Sequence, residues 1–171
     1  MESPTPPSLS KMTIAIIWIV LLLITTLLFN TLLKDINNPN QQLTVSINEF
    51  GEQQVVLKQN RYGHYLASGE INGQTVEFLV DTGATLVAIP QHIAEKLQLK
   101  KGYQFESQTA NGSSTSYLTK IDTLSLGGIV MENVPASISS GMEFDEILLG
   151  MSFLKHLKIT QQGKELRLSL P

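Results

Sequence analysis

Two textures of apolar residues divide the chain. From Met12 to Leu33 the sequence MTIAIIWIVLLLITTLLFNTLL runs without a single charge, interrupted only by Thr13, Thr25, Thr26, Asn30 and Thr31. A helix of that length reaches about 33 Å at 1.5 Å per residue, close to the roughly 30 Å hydrocarbon core of a bilayer. Lys11 and Lys34 bracket it, placed where their ammonium groups can snorkel to the two interfaces. A cleaved signal peptide would show a shorter apolar stretch and a small-residue cleavage site, and no A-x-A follows here. A buried soluble helix would keep a polar face, which this stretch lacks. The pattern predicts an uncleaved transmembrane anchor over residues 12–33, preceded by a short Pro-rich tail over 1–11. One Lys on each side gives no charge bias for orientation. The simpler arrangement keeps the short tail inside and translocates the long remainder.

Beyond the anchor the period changes. Lys34 to Gln42 (KDINNPNQQ) holds nothing that can form a core and reads as a stalk. Leu43, Val45 and Ile47 then alternate with polar residues, and Val55-Val56-Leu57 is a short apolar run. Whether these extend the stalk or join the domain is open from pattern alone, and the linker is set at 34–58, the domain at 59–171. Tyr65–Ile71, Asn72-Gly73 and Val76–Val80 predict a β-hairpin, because Asn-Gly supplies the positive φ of a tight turn. Asn111-Gly112 predicts a second hairpin between Tyr103–Thr109 and Ser114–Lys120, with polar arms that should project from the core. Ile121–Leu126 ends at Gly127-Gly128. Ile129–Ile138 follows with Val134, Ala136 and Ile138 on one face. Ile147-Leu148-Leu149 reads as a buried strand ending at Gly150, and Leu166, Leu168 and Leu170 alternate. Only Pro90–Leu99, with Pro at its first turn, and Ser152–Leu157, with Ser152 as N-cap, look helical. The expected fold is mainly β with one or two short helices.

Composition narrows the chemistry. The 171 residues carry a net charge of −3 from 12 basic and 15 acidic side chains, with no basic patch, so nucleic acid is not an expected partner. Cysteine is absent, which excludes disulfides, thiol nucleophiles and thiolate-bound metals. His64, His92 and His156 show no paired spacing, so neither a metal nor a cofactor is expected, and these histidines read as surface or packing residues.

The most informative run is Phe78-Leu79-Val80-Asp81-Thr82-Gly83-Ala84-Thr85, an apolar strand delivering a carboxylate. A carboxylate at the end of a buried strand is costly unless it is paired or hydrogen-bonded. An Asp-Thr-Gly alone is a weak signal, since Asp and Gly are ordinary turn residues. The order of elements is more specific: apolar-Asp-Thr-Gly, a polar hairpin, then an apolar strand ending in Gly and a short helix.

On these residues the chain resembles the retropepsin-like aspartic proteases. The resemblance is carried by Gly63-His64-Tyr65, Asn72-Gly73, Phe78 to Thr85, Thr109-Ala110-Asn111-Gly112, Leu126-Gly127-Gly128 and Leu148-Leu149-Gly150-Met151-Ser152-Phe153-Leu154. More narrowly it is similar to the bacterial, membrane-anchored branch of that family. The resemblance implies a retropepsin-like acid-protease half-barrel behind one transmembrane helix. It further implies an inner-membrane protein with its protease domain in the periplasm, and an endopeptidase acting on protein or peptide substrates.

The same resemblance makes Asp81 the catalytic carboxylate. Aspartic peptidase chemistry uses two close carboxylates that share a proton, one ionised and one protonated. This sequence has one Asp-Thr-Gly; Asp122-Thr123 is followed by Leu124, and Asp145-Glu146 lies in a polar stretch. A homodimer with one Asp81 from each chain is therefore expected. Thr82 would hydrogen-bond across the dimer beneath the carboxylates, Gly83 and Ala84 would allow close backbone approach, and Gly150 would support the turn. Ala110, Asn111 and Gly112 would form the tip of a flap over the substrate, with an ordinary surface hairpin as the plainer alternative. Two other readings stand beside the enzyme: a non-catalytic peptide-binding module of the same fold, and an assembly protein of the membrane.

Overall fold

A computed structural model describes residues 10–47, 51, 53–109 and 112–171. The chain divides into two compact units between Ile36 and Asn37. The first holds all but the last residue of helix α1, Lys11–Asn37, which is long and apolar enough to cross a membrane. Its apolar side chains, Trp18, Leu22 and Phe29 among them, are exposed. Thr25, Thr26 and Thr31 donate their hydroxyls to the carbonyls of Leu21, Leu22 and Leu27. Bonding four residues back satisfies these three hydroxyls within the helix, as a hydrocarbon surrounding would require. Ser10 caps the helix, its Oγ accepting from Thr13 N at 3.2 Å.

The second unit is β-rich. Its elements are β1 (Val45–Ile47), β2 (Gln53–Lys58), β3 (Leu66–Ile71), β4 (Gln74–Val80), β5 (Val87–Pro90), α2 (Gln91–Lys96), β6 (Gln104–Thr109) and β7 (Gly112–Leu126). β8 (Ile129–Ser139), β9 (Ile147–Leu149), α3 (Met151–Leu154), β10 (Lys158–Gln162) and β11 (Glu165–Ser169) complete it. The larger sheet runs β3-β4-β9-β5-β8-β7-β6, and an additional β3–β7 pairing (Ile71 with Leu124) closes it on itself. Phe78, Ile89, Ile121, Leu124, Ile138, Ile147 and Leu149 fill the interior. Val134, Ala136 and Ile138 are buried on one face of β8, as the alternation predicts.

The first hairpin forms, with Leu66 opposite Leu79 and Ile71 opposite Gln74. Asn72 (φ 50°) and Gly73 (φ 77°) both take positive φ at its turn. The second hairpin pairs β6 with the start of β7, Ser107 opposite Ser114. Ser114–Lys120 and Ile121–Leu126, expected as separate strands, are one continuous fifteen-residue β7. One half of β7 serves the hairpin and the other the closed sheet.

The linker expected over 34–58 is corrected. β1 and β2 join β11 and β10 in a four-stranded antiparallel sheet, β1-β2-β11-β10, where Val55 and Leu57 are fully buried against Leu166 and Leu168. The preceding polar run is also built in. Asn40 is 4 % exposed; its Nδ2 donates to the carbonyls of Lys58 and Leu66, and its Oδ1 accepts from Lys58 N at 2.7 Å. Asn38 Nδ2 donates to Glu77 Oε1 at 2.9 Å. Asn, Gln and Pro cannot make an apolar core, but a buried amide with every bond satisfied joins two strand ends as well as a ladder does. β10 was not anticipated: KITQQ has no apolar period and is held by its pairing with β11. Leu170 lies beyond β11 and is exposed.

Candidate active site

Strands β4 and β5 flank the Asp81 turn without pairing to each other. β9 runs between them, parallel to β4 (Val80 with Leu149) and antiparallel to β5 (Leu148 with Ala88). Asp81 N donates to Leu149 O at 3.2 Å, which carries the β4–β9 ladder one residue past the strand end. The chain then reverses. Ala84 N donates to Asp81 O at 3.3 Å, and Gly83 N donates to Asp81 Oδ1 at 2.9 Å. That bond is the only one made by the carboxylate among the described residues.

The inner side of the turn is fixed by the residues after β9. Met151 N donates to Ala84 O at 2.7 Å and Ser152 N to Thr85 O at 2.9 Å. Ser152 Oγ accepts from the buried Val87 N at 2.9 Å. Ser152, expected to cap the second short helix, therefore lies inside α3 and caps the start of β5 instead; Gly150 occupies the N-cap position. A Cβ at Gly150 would stand 2.6 Å from Ala84 O and closer still to Leu86 O, so only glycine lets the two backbones meet. At Gly83 a Cβ would stand 3.1 Å from Asp81 Oδ1.

The outer side is open. Asp81 and Ala84 are half-buried, while Thr82, Gly83 and Thr85 are exposed. The structure thus brings Asp81, Thr82, Gly83, Ala84 and Gly150 into one turn and its support. Two open grooves of about 370 and 410 Å³ occur on the domain, and Asp81 lines neither. Of the expected flap tip, Ala110 and Asn111 lie outside the described residues, and Gly112 opens β7 with φ 109°.

His92 Nε2 lies 2.8 Å from Asp145 Oδ1 and so ties α2 to the segment before β9, while His64 is exposed. No group of three or more His, Asp or Glu side chains able to hold a metal occurs among the described residues. Sequence reasoning missed the Ser152–Val87 bond, because a serine next to Gly150 gives the same signal whether it caps its own helix or a distant strand.

This arrangement, a closed β sheet with a third strand threaded between the two that flank an Asp-Thr-Gly turn, defines the fold of the retropepsin-like aspartic proteases. The crystal structure of a retropepsin-like aspartic protease from Rickettsia conorii superposes with a TM-score of 0.57 at 28% identity, covering 67% of this chain and 97% of that one. Residues 67–156 match the family described as "gag-polyprotein putative aspartyl protease", and the chain belongs to that family. Among curated proteins, an uncharacterized protein from the cobV 5′ region of a Sinorhizobium species is 33% identical over 129 residues, 73% of this chain and 55% of its own length. An uncharacterized protein of Rickettsia prowazekii (strain Madrid E) is 29% identical over 121 residues, 69% of this chain and 51% of its own. The chain spans about half the length of the curated relatives it matches.

Proposed function

We propose that this chain is a membrane-anchored aspartic endopeptidase whose active centre forms between two copies, each contributing Asp81. The observation that carries this reading is the asymmetry of the Asp81 turn: tied down on its inner side, open on its outer side, with a single carboxylate held by one backbone N–H. Two such carboxylates facing each other across a two-fold axis would share one proton. The ionised one takes a proton from a water as that water attacks the scissile carbonyl, and the protonated one polarises the carbonyl oxygen. Collapse of the tetrahedral intermediate breaks the C–N bond, with a proton delivered to the leaving amine. In this reading Thr82, exposed on the turn, hydrogen-bonds to its twin across the interface beneath the two carboxylates. The β6–β7 hairpin covers the bound peptide and excludes water from the reacting carbonyl.

In this reading α1 spans the membrane over 12–33 and the domain works in the periplasm of a bacterial cell. Shared anchoring in one membrane raises the local concentration and supports even a weak dimer. β11 lies in the middle of the four-stranded sheet, between β2 and β10, so both its edges are taken within the chain. In this reading the two copies meet through their Asp81 turns, and β11 offers no free edge to a second chain.

The deciding experiment is a mixed dimer of one intact chain and one Asp81→Asn chain, assayed on a peptide library. Loss of cleavage is expected. Full activity in the mixed dimer overturns the shared site, and no cleavage by a verified dimer of intact chains turns the reading to a peptide-binding module.

A further inference from the structure

The polar arms of the β6–β7 hairpin are not simply solvated. Their serines meet one another and the end of β8. Strand register puts Ser107 opposite Ser114 and Ser116 opposite Ser139. Because positions two apart share a face, Ser107, Ser114, Ser116 and Ser139 all line one side of this corner. Ser107 Oγ lies 2.8 Å from Ser116 Oγ and 3.1 Å from Ser114 O. Ser114 Oγ lies 3.2 Å from Ser139 Oγ. One residue on, Ser140 donates to Thr115 O through both its backbone N (3.1 Å) and its Oγ (2.8 Å).

Two of these serines are inside the protein: Ser116 is 1 % and Ser139 4 % exposed. The packing makes room for them. A Cβ at Gly141 would stand 2.9 Å from Ser114 Cβ and Oγ. The opposite face of the same strands carries Tyr117 and the buried Ile138, so the hydroxyls occupy a side that an apolar sequence would have filled with methyls. Apolar packing is non-directional and tolerates sliding; a pair of hydroxyls at fixed register does not.

We infer that Ser107, Ser114, Ser116, Ser139 and Ser140 form a hydroxyl clamp that sets the pose of the β6–β7 hairpin relative to the Asp81 turn. The inference rests on the protease reading above for the hairpin's role over the substrate. The connection to the turn is through the sheet. Ser139 is paired with Pro90 at the end of β5, and β5 begins where the Asp81 turn ends. A hairpin fixed to β8 at this point is fixed beside β5, the strand that leaves the Asp81 turn. These serines are positioning residues; none touches the reacting atoms.

The test uses the full chain in detergent, with three variants: the double Ser114→Ala/Ser139→Ala, Ser107→Ala, and Ser107→Thr, which keeps the hydroxyl. Backbone hydrogen exchange is read in β6 and the first half of β7, with the β3–β4 hairpin as internal reference. The double variant should speed exchange in β6–β7 about five- to tenfold, the factor that a lost hydrogen bond carries, and leave β3–β4 unchanged. Peptide hydrolysis should show KM raised by a similar factor with kcat nearly constant. Ser107→Ala should act in the same direction, and Ser107→Thr should restore both readouts. Unchanged exchange in β6–β7, or an equal rise in β3–β4, overturns the clamp. Faster exchange with unaltered KM overturns its role in positioning the hairpin over substrate. If the intact chain cleaves nothing, the protease reading fails, while the exchange measurement still decides the clamp.

Discussion

Two irregular segments of this domain, the Asn38–Asn40 stretch and the Asp81 turn, are both held by polar contacts, and they use them in opposite ways. Asn40 is closed: its amide bonds the carbonyls of Lys58 and Leu66 and the N–H of Lys58, and only 4 % of the residue reaches solvent. Asp81 is half-closed: Gly83 N holds one oxygen, Leu149 and the start of α3 hold the backbone, and the outer side of the turn is exposed. A buried polar group that satisfies all its partners inside its own chain is structural glue. One that is fixed from below and left open above is poised for something outside its chain. The contrast locates function more sharply than residue type does, since both segments set a short Asn or Asp side chain beside strand ends.

The largest effect that tests this division is at Asp81. Asp81→Asn keeps the shape and an acceptor oxygen for Gly83 N, so the unfolding free energy should change by less than about 1 kcal/mol. Peptide hydrolysis should fall by roughly 10³-fold or more, because a shared-proton carboxylate pair cannot form. Denaturant melts and steady-state assays on the same preparation separate the two. A large stability loss with activity retained would make Asp81 glue as well.

Next comes Gly150→Ala. The added methyl meets two backbone carbonyls: that of Ala84, which accepts from Met151 N, and that of Leu86, whose peptide partner Val87 N is held by Ser152 Oγ. A cost of about 3 kcal/mol or more is expected, at the upper end for overpacking, together with loss of soluble folded protein on mild heating. A variant as stable as the parent would show that the inner side of the turn is looser than these contacts describe.

Asn40→Ala probes the closed segment. It leaves the Lys58 N–H and two carbonyls without their partner, and should cost about 2–3 kcal/mol in chemical denaturation. Hydrolysis per folded molecule should stay within about twofold of the parent, since the hydrogen bonds of Asn40 go to Asn38, Lys58, Leu66 and Ser68 and not to the Asp81 turn. A selective loss of activity at unchanged stability would break the comparison from the other side.

Most of the fold was legible where the signal is local. The β3–β4 hairpin announces itself through Asn72-Gly73, the buried face of β8 through Val134, Ala136 and Ile138, and the Asp81 turn through the apolar strand that leads into it. What escaped depends on partners far along the chain. β10 carries almost no apolar residue and exists because β11 pairs with it. β2 and Asn40 read as stalk because their burial is supplied by β11 and Leu66, and β1 because only its pairing with β2 holds it. The break expected near Lys120 vanished because a strand can change from a polar hairpin arm to a buried barrel strand without a turn. The threading of β9 between β4 and β5 has no sequence signature of its own, although Gly150 marks the place where it ends.

The smallest expected effect is at Ser152, on the inner side of the site. Its Oγ accepts from Val87 N, and both residues are buried. Ser152→Ala removes the acceptor and leaves an N–H without a partner, at a cost of about 1–2 kcal/mol. Met151 N and Ser152 N are backbone groups and keep their bonds to Ala84 and Thr85, so the turn itself should hold its shape. Activity per folded chain should therefore drop only a few-fold, far less than for Asp81→Asn. Steady-state kinetics corrected for the folded fraction measure this directly. A complete loss of hydrolysis with stability intact would mean that the inner side of the turn takes part in the chemistry, and the division between a fixed floor and an open working face would no longer stand.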